Sequence, residues 1–293
     1  KSMNKLFGVL LSASVLTLAA CGQQEAPKSE ATKPENTGKE QTVTMASTGS
    51  DADIWRYIAT LPETKQAGIK LEVKNFTDYV AMNTAVANNE IDINAFQSYA
   101  YLVAYNQANT TKIAPISTTY LEPMGIYSSK VTTVEEFANG ATIAIPNDGA
   151  NESRALLLLQ SAGLVKLKAN FDNVKGTPAD ITENPKKIVI KPIQMATAVR
   201  AKDEVDAIVL GNTLAQEGGL NVLKDAVCYE PIDQSTKMNV NILAVADARK
   251  NDEILQKVGA LYHVPAVGKY VQEHFGGTKV DVNKPVSYLT EAK

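Results

Sequence analysis

From Gln41 onward, short apolar runs rich in β-branched residues alternate with helical runs, and this alternation constrains the fold more than any other feature of the chain. Strands that alternate with helices are typical of an α/β fold with largely parallel sheets. The first block predicts strands at residues 42–47, 69–76 and 91–95 and helices at residues 52–60, 79–88 and 99–107.

A second block of the same kind follows. It predicts strands at residues 141–145, 187–193 and 205–210 and helices at residues 152–160 and 195–201. A further strand is predicted at residues 239–246, ahead of helices at 253–263 and 266–274. A late strand after a complete second block indicates that the chain returns to its first unit.

We therefore predict two lobes joined by two crossings, near residues 122–128 and 230–238. Lobe I comprises residues 41–126 and 237–293, and lobe II comprises residues 127–236. Ligands of open α/β sheets bind beyond the carboxyl ends of the strands. The cleft between the lobes is therefore the expected binding site.

The amino terminus has the pattern of a secretory signal peptide over residues 1–20. Lys5 precedes an apolar run, Leu6 to Leu18, which is too short to span a bilayer and closes on Leu-Ala-Ala-Cys at residues 18–21. That tetrapeptide resembles the lipobox of bacterial lipoproteins, which implies that Cys21 is lipidated and becomes the first residue of the mature chain. Residues 21–40 are polar and proline-containing, so we predict a disordered tether.

Composition argues against several other functions. The formal net charge is −3, and an acidic body is unsuited to binding nucleic acid. If Cys21 carries lipid, Cys228 is the only remaining thiol, and no intramolecular disulfide forms. The chain has two histidines, His263 and His274, and none of the common nucleophile, phosphate-loop or zinc motifs. We predict no catalytic residues, no metal site and no cofactor.

Candidate ligand-binding residues follow the predicted strands. Tyr79 starts a helix directly after one strand and offers an amphipathic ring to the cleft, while packing within the helix remains an alternative. The segment FQSYAY at residues 96–101 follows another strand and suits an apolar side chain with one polar contact. In that segment Phe96, Gln97, Ser98 and Tyr101 are the candidates.

A third loop runs from Ile145 through a Pro, Asn and Gly sequence into a helix. The free amides at a helix start favour an anion, and a guanidinium grips a carboxylate with two parallel hydrogen bonds. Asn151 and Arg154 therefore predict a carboxylate site. Asn212 follows a fourth strand, where it is suited to binding ammonium or carboxylate, or is an ordinary turn residue.

At these residues the chain resembles the NlpA family of lipoproteins, the methionine-binding receptors of ABC importers. The resemblance covers most of residues 42–285. Its clearest segments are FTDYV at residues 76–80, PMGIYS at 123–128, ATIAIPND at 141–148, RALLLL at 154–159, AGL at 162–164 and ENPK at 183–186.

The resemblance implies a two-lobed periplasmic-binding-protein fold of the type 2 kind. By that resemblance Arg154 holds the ligand carboxylate beside Asn151, and Asn212 binds the amino-acid backbone. Tyr79, Phe96 and Tyr101 line the side-chain pocket. The implied partners are a small amino acid, an ABC permease with its ATPase, and a membrane reached through the lipid anchor, with the protein facing the periplasm or the cell exterior.

The sequence departs from the family pattern at four places that bear on the ligand. Asp51 and Ser98 stand where the family usually has histidine, and Asn239 stands where it usually has tyrosine. Glu152 and Ser153 stand where the family usually has two glycines ahead of the arginine. Methionine is the leading ligand, and another amino acid or a short peptide is the alternative. An enzyme or an adhesin on the same scaffold is a further alternative, because a fold does not fix a function.

Overall fold

The computed structural model describes residues 38–231 and 234–291. Cys21, the signal peptide and residues 21–37 of the predicted tether lie outside them. The strands are β1 Gln41–Ser47, β2 Ile69–Asn75, β3 Ile93–Ser98, β4 Ile113–Thr118, β5 Tyr120–Leu121, β6 Gly125–Tyr127, β7 Thr142–Pro146, β8 Lys166–Leu167, β9 Ile181–Glu183, β10 Val189–Ile193, β11 Ala207–Leu210, β12 Cys228–Tyr229, β13 Asn241–Ala246 and β14 Val280–Asp281. The helices are α1 Gly49–Ala59, α2 Pro62–Gln66, α3 Tyr79–Ala87, α4 Tyr99–Ala108, α5 Gly149–Ser161, α6 Met195–Ala198, α7 Asn212–Glu217, α8 Val222–Asp225, α9 Glu253–Leu261, α10 Pro265–Phe275 and α11 Ser287–Thr290.

Two five-stranded sheets organise the chain. The first has the order β2-β1-β3-β13-β4 and the second the order β10-β7-β11-β6-β12. In each sheet three parallel strands are followed by one antiparallel strand, which is β13 in the first and β6 in the second. The predicted two-lobed α/β fold is therefore confirmed.

The central strands of each sheet are buried on both faces and are apolar at successive positions. In β1, Met45 packs into one hydrophobic cluster and Ala46 into another on the opposite side. In β7, Ile143 and Ala144 divide in the same way between two clusters of the second sheet. Side chains alternate between faces along a strand, so such runs are expected where helices cover both sides.

The chain passes between the sheets twice. It leaves β5 at Leu121 and enters the second sheet at Gly125, and it returns from β12 to β13 between Tyr229 and Asn241. These crossings fall where the sequence predicts them, although the exact lobe limits at residues 126/127 and 236/237 stay a prediction.

Several predicted elements differ by two or three residues at an end from the observed ones, and two of these differences have a clear physical cause. The strand predicted at residues 91–95 runs instead from Ile93 to Ser98, because antiparallel pairing with β13 continues to Ser98 opposite Asn241. The helix predicted at residues 195–201 ends at Ala198, after which the chain continues in short turns such as Ala201 N–H to Ala198 O. Within the described part of the chain, every helix is too short or too polar to cross a membrane.

Candidate functional site

A cavity that is partly open to solvent lies where the carboxyl ends of β3, β7 and β11 meet. All the predicted ligand-binding residues line it, namely Tyr79, Phe96, Gln97, Ser98, Tyr101, Asn151, Arg154 and Asn212. The lining also includes residues that the sequence did not indicate for ligand binding, namely Glu122, Met195, Gly211, Thr213, Leu214 and Asn241.

One wall of the cavity is aromatic and comes from the first lobe. The ring centroids of Tyr79 and Phe96 are 5.3 Å apart, and the Tyr101 ring meets each of them edge-on at 6.1 and 5.7 Å. Such tilted and edge-to-face pairs are favourable aromatic arrangements. Burial raises the pKa of both tyrosine hydroxyls, with nearby carboxylates adding to the shift. Both rings therefore stay neutral, as a wall for an apolar side chain requires.

A network of buried amides supports this wall from behind. Gln97 donates from Nε2 to Asn83 Oδ1 at 2.7 Å and to Asn94 Oδ1 at 2.9 Å, and its Oε1 accepts from Asn83 Nδ2 at 3.1 Å. Both amide hydrogens of Gln97 are thus already used within the first lobe. Gln97 lines the cavity, but it has no donor to spare for a ligand.

Ser98 also serves the first lobe. Its hydroxyl oxygen accepts from Tyr101 N–H at 3.2 Å and caps α4 at the cavity edge. A serine in this position is a favourable helix cap. Its small side chain therefore holds the start of the helix that carries Tyr101.

The opposite wall is polar, and its central residue is Arg154 on α5. Arg154 Nε lies 2.9 and 3.0 Å from the two carboxylate oxygens of Glu230, and Nη2 donates to Glu230 Oε1 and to Glu122 O. The Glu230 carboxylate also accepts from Met124 N–H and from Asn239 Nδ2. Arg154 is therefore tied to both crossings between the lobes.

This pairing leaves one end of the guanidinium for a ligand. Among the described residues, Arg154 Nη1 makes no hydrogen bond, and the Arg154 side chain is 10% exposed and lines the cavity. Nη1 is not among the buried side-chain atoms that lack a partner within the described residues, so it is open to the cavity and free to donate to a ligand. A ligand carboxylate in the cavity would accept a hydrogen bond from Arg154 Nη1.

The start of α5 itself is not an open anion site. Asp148 is the cap of this helix and accepts from Asn151 N–H and from Asn151 Nδ2. Burial raises the pKa of Asp148, while these hydrogen bonds oppose the shift. Because a carboxylate of the chain already occupies the helix start, the anion-binding role expected of this loop rests on Arg154 and not on the helix amides.

Asn212, at the start of α7, contacts a buried charged cluster. Its Nδ2 donates to Glu122 Oε2 at 2.7 Å and to Thr278 Oγ1 at 3.2 Å. Lys279 Nζ lies 3.0 Å from the same Glu122 oxygen and 3.9 Å from Asp51 Oδ1. Burial raises the pKa of Asp51 to about 6, although the Lys279 ammonium opposes the shift.

The amide orientation of Asn212 follows from these contacts. A carboxylate only accepts, so the NH₂ end must face Glu122. The other end, Oδ1, is buried and has no partner within residues 38–231 and 234–291. Asn212 thus presents an unused acceptor, a property suited to an ammonium group.

Sequence reasoning identified these side chains but not their partners. Nothing near Glu230 or Lys279 in the sequence indicates a site, since both are brought in by contacts distant along the chain.

In the part of the chain that the structure describes, no cluster of His, Cys, Asp and Glu is arranged to hold a metal ion. His263 lies outside the cavity lining and bridges Asp281 and Thr118 O.

Comparisons with known proteins identify a family and related structures. The sequence profile described as NlpA lipoprotein matches residues 43–283. A probable D-methionine-binding lipoprotein of Pasteurella multocida is 31% identical, over 94% of this chain and 97% of the relative. A nutrient binding protein from Burkholderia cenocepacia, solved bound to methionine, has a TM-score of 0.78 at 33% identity, covering 82% of this chain and 99% of that chain. The substrate binding protein of a methionine transporter from Streptococcus pneumoniae has a TM-score of 0.75 at 36% identity, covering 82% and 95%.

Proposed function

Because the chain belongs to the NlpA lipoprotein family, we propose that it is the substrate-binding protein of an ABC importer and captures methionine between its two lobes. The membership confirms the resemblance seen in the sequence. The chain then releases methionine to a membrane permease, which is driven by a cytoplasmic ATPase. Capture and release include no chemical step, so catalytic residues have no part in them.

The observation that carries this proposal is the division of the cavity into a polar and an aromatic wall. Arg154 Nη1 is a donor for a carboxylate, and Asn212 Oδ1 is an acceptor for an ammonium group. Tyr79, Phe96 and Tyr101 provide an apolar surface for a side chain. A zwitterion with an unbranched apolar side chain satisfies all three features, and methionine is such a molecule.

Calorimetric titration tests the proposal. The purified protein is first unfolded and refolded to remove any bound ligand, and is then titrated with L-methionine, D-methionine, alanine and glutamate. We expect one methionine per chain, with alanine and glutamate bound far more weakly because they fill the aromatic end poorly or place a charge there. Equal binding of all the amino acids, or of none, would contradict the proposal.

A short peptide is the second candidate, and one observation favours it. A wider space outside the cavity is lined by Tyr79, Tyr101, Met195 and Leu214, which also line the cavity itself. A dipeptide would extend from the cavity into this space. Titration with methionine-containing dipeptides separates the two candidates, since tighter binding of a dipeptide than of methionine would favour the second.

We propose further that Cys21 carries the lipid that holds the protein on the outer face of a membrane. The Leu-Ala-Ala-Cys sequence at residues 18–21 supports this. Two or more acyl chains hold a protein firmly to a bilayer, whereas one holds it reversibly. Radiolabelled palmitate should enter the wild-type protein, and a Cys21→Ser variant should remain unlabelled. Label in that variant would contradict the assignment.

A further inference from the structure

The turn after α10 places two buried side chains behind the polar wall of the cavity. Gly276 and Gly277 have φ values of 56° and 83°, a left-handed conformation that glycine adopts at little cost. The chain reverses there, and the next two residues, Thr278 and Lys279, are 0% and 5% exposed. They contact the cluster that holds Asn212.

We propose that Thr278 and Lys279 are positioning residues for the ammonium end of the ligand. Together with Glu122 they fix the side-chain amide of Asn212, so that its Oδ1 is the end offered to the cavity. This inference rests on the proposed function, because it assigns the ammonium group of an amino acid to that oxygen.

The hydrogen-bonding role of the Thr278 hydroxyl toward α7 is fixed by its other contact. It donates its hydrogen to Phe275 O at 2.8 Å. A hydroxyl has a single hydrogen, so the same oxygen can only accept from Asn212 Nδ2 at 3.2 Å and from Gln216 Nε2 at 3.3 Å. Thr278 therefore faces α7 as an acceptor and selects the NH₂ end of Asn212.

Lys279 acts on the same amide through Glu122. Its Nζ is 3.0 Å from Glu122 Oε2, the oxygen that also accepts from Asn212, and it lies 4.1 Å above the Tyr120 ring. Asp51 is the second carboxylate beside this ammonium. Without the cation, the buried Glu122 carboxylate would lose the charged donor that holds its Oε2 beside Asn212.

Loss of the contact between Lys279 and Glu122 would leave the Glu122 carboxylate free to turn away from Asn212, and the Asn212 amide would then lack the acceptor that fixes its NH₂ end. Lys279 therefore holds Glu122 Oε2 at the position where it accepts from Asn212 Nδ2. Asn212 Oδ1 is therefore already oriented toward the cavity in the absence of ligand. The ammonium group of the ligand then supplies the donor that this buried oxygen lacks.

A purely structural role for the same contacts makes a different prediction. If Thr278 and Lys279 only join the α10 turn to α7, their loss would weaken binding of every ligand to the same degree. If they position Asn212, their loss would weaken only ligands that carry an ammonium group. L-Methionine and 4-(methylthio)butanoate differ in that group alone, and so they separate the two roles.

The experiment uses the full chain with the variants Thr278→Val and Lys279→Met. Thr278→Val keeps the side-chain shape and removes the acceptor, so it provides the test if Lys279→Met does not fold. Lys284→Met is the matched control, since Lys284 is an exposed lysine on the same segment. Methionine affinity is measured by calorimetry, and affinity for 4-(methylthio)butanoate by its displacement of bound methionine.

We expect each variant to bind methionine roughly 10- to 100-fold more weakly, as for loss of a hydrogen bond to a charged group. The affinity for 4-(methylthio)butanoate should stay within about threefold of wild type, and Lys284→Met should change neither. Unchanged methionine binding, or equal weakening of both ligands, would overturn the inference while leaving the proposed function intact. Wild-type protein that binds no amino acid would overturn both.

Discussion

The two walls of the cavity are built in different ways. The aromatic wall consists of side chains from one lobe that pack against one another and are complete without a ligand. The polar wall joins both lobes and both crossings, and it leaves Arg154 Nη1 and Asn212 Oδ1 without partners among the described residues. The difference indicates that the two walls have different roles. The aromatic wall determines which ligand side chain fits, and the polar wall couples ligand binding to the segments that join the lobes.

The largest effect is expected from Arg154→Ala. It removes the donor for the carboxylate and leaves Glu230 as a nearly buried charge without its cation, a loss of about 3–5 kcal/mol in the free energy of unfolding. Methionine binding should fall below detection by calorimetry. Arg56→Ala is the matched control, because Arg56 pairs with Asp53 at an exposed position and its loss should alter neither quantity measurably.

A double variant separates stability from binding at this site. Replacing both members of a buried ion pair by apolar residues is often neutral for stability. Arg154→Met combined with Glu230→Leu should therefore recover most of the lost unfolding free energy, while methionine binding remains absent. Recovery of binding would show that Arg154 does not hold the ligand.

The charged cluster behind the polar wall gives a pH-dependent prediction. Because burial raises the pKa of Asp51 from 3.8 to about 6, folding favours its protonated form. Its contribution to stability is thus present below pH 4 and is lost as the pH rises through 6. The unfolding free energy of wild type minus that of Asp51→Asn should fall by up to ~3 kcal/mol between pH 4 and pH 7.

Denaturant unfolding at several pH values measures this difference. The groups that face Asp51 are Lys279, Glu122, Tyr120 and Tyr262, and they are the same in both proteins. A difference that stays constant with pH would show that Asp51 does not take up a proton in this range. It would also remove one reason to regard the cluster as strongly desolvated.

The aromatic wall should show a smaller effect that depends on the ligand. Phe96→Ala removes a large part of the apolar surface, which for one buried side chain corresponds to roughly 1.5–3 kcal/mol, or about 10- to 100-fold in methionine affinity. Alanine does not reach that surface, so its affinity should change little. Tyr229→Ala, an exposed aromatic on β12, is the control. Equal losses for both ligands would mean that Phe96 supports the whole site and does not select the side chain.

The smallest effect is expected at Gly49, where the lobes approach each other. Gly49 has φ +53°, and a Cβ atom there would lie 2.3 Å from Glu217 Oε1 and 2.8 Å from Thr213 Cγ2 of α7. Gly49→Ala should hold the lobes slightly apart and weaken methionine binding by roughly tenfold, at a cost near 1.4 kcal/mol.

Gly140→Ala provides the control for backbone strain at Gly49. Gly140 has φ +81°, and a Cβ atom there meets nothing within 4 Å. Both variants carry the strain of a left-handed alanine, but only Gly49→Ala obstructs the contact between lobes. Titration of both should show a loss of affinity in Gly49→Ala alone. Equal affinities would contradict closure through this contact.

The same contrast explains how much the sequence could predict. The central strands, the longer helices and the residues of the aromatic wall follow from local patterns, whereas the sequence did not predict the sheet strands β4, β6 and β12. Tyr79, Phe96 and Tyr101 come together because each lies at the end of a strand or the start of a helix. Phe96, Gln97 and Ser98 were expected in a loop, but they extend β3, because a strand's end depends on its partner and β13 lies far along the chain.

The partners of the polar wall were beyond the reach of sequence patterns. Arg154 and Glu230 are 76 residues apart, and Glu122 and Lys279 are 157 apart. No local periodicity relates such positions, and the sequence around Glu122, Glu230 or Lys279 does not distinguish these residues from ordinary surface charges. The commitment of both Gln97 hydrogens to Asn83 and Asn94 is likewise a property of packing, so the sequence could identify Gln97 as a lining residue but not its lack of a free donor.

A crystal structure of the protein with methionine tests the central claim most directly. The account predicts the ligand carboxylate within hydrogen-bonding distance of Arg154 Nη1, its ammonium group at Asn212 Oδ1, and its thioether between the rings of Phe96 and Tyr101. A methionine bound in the reverse direction, with its charged groups at the aromatic wall, would contradict the division of the cavity into two walls. So would a ligand bound elsewhere while Arg154 Nη1 remains without a partner.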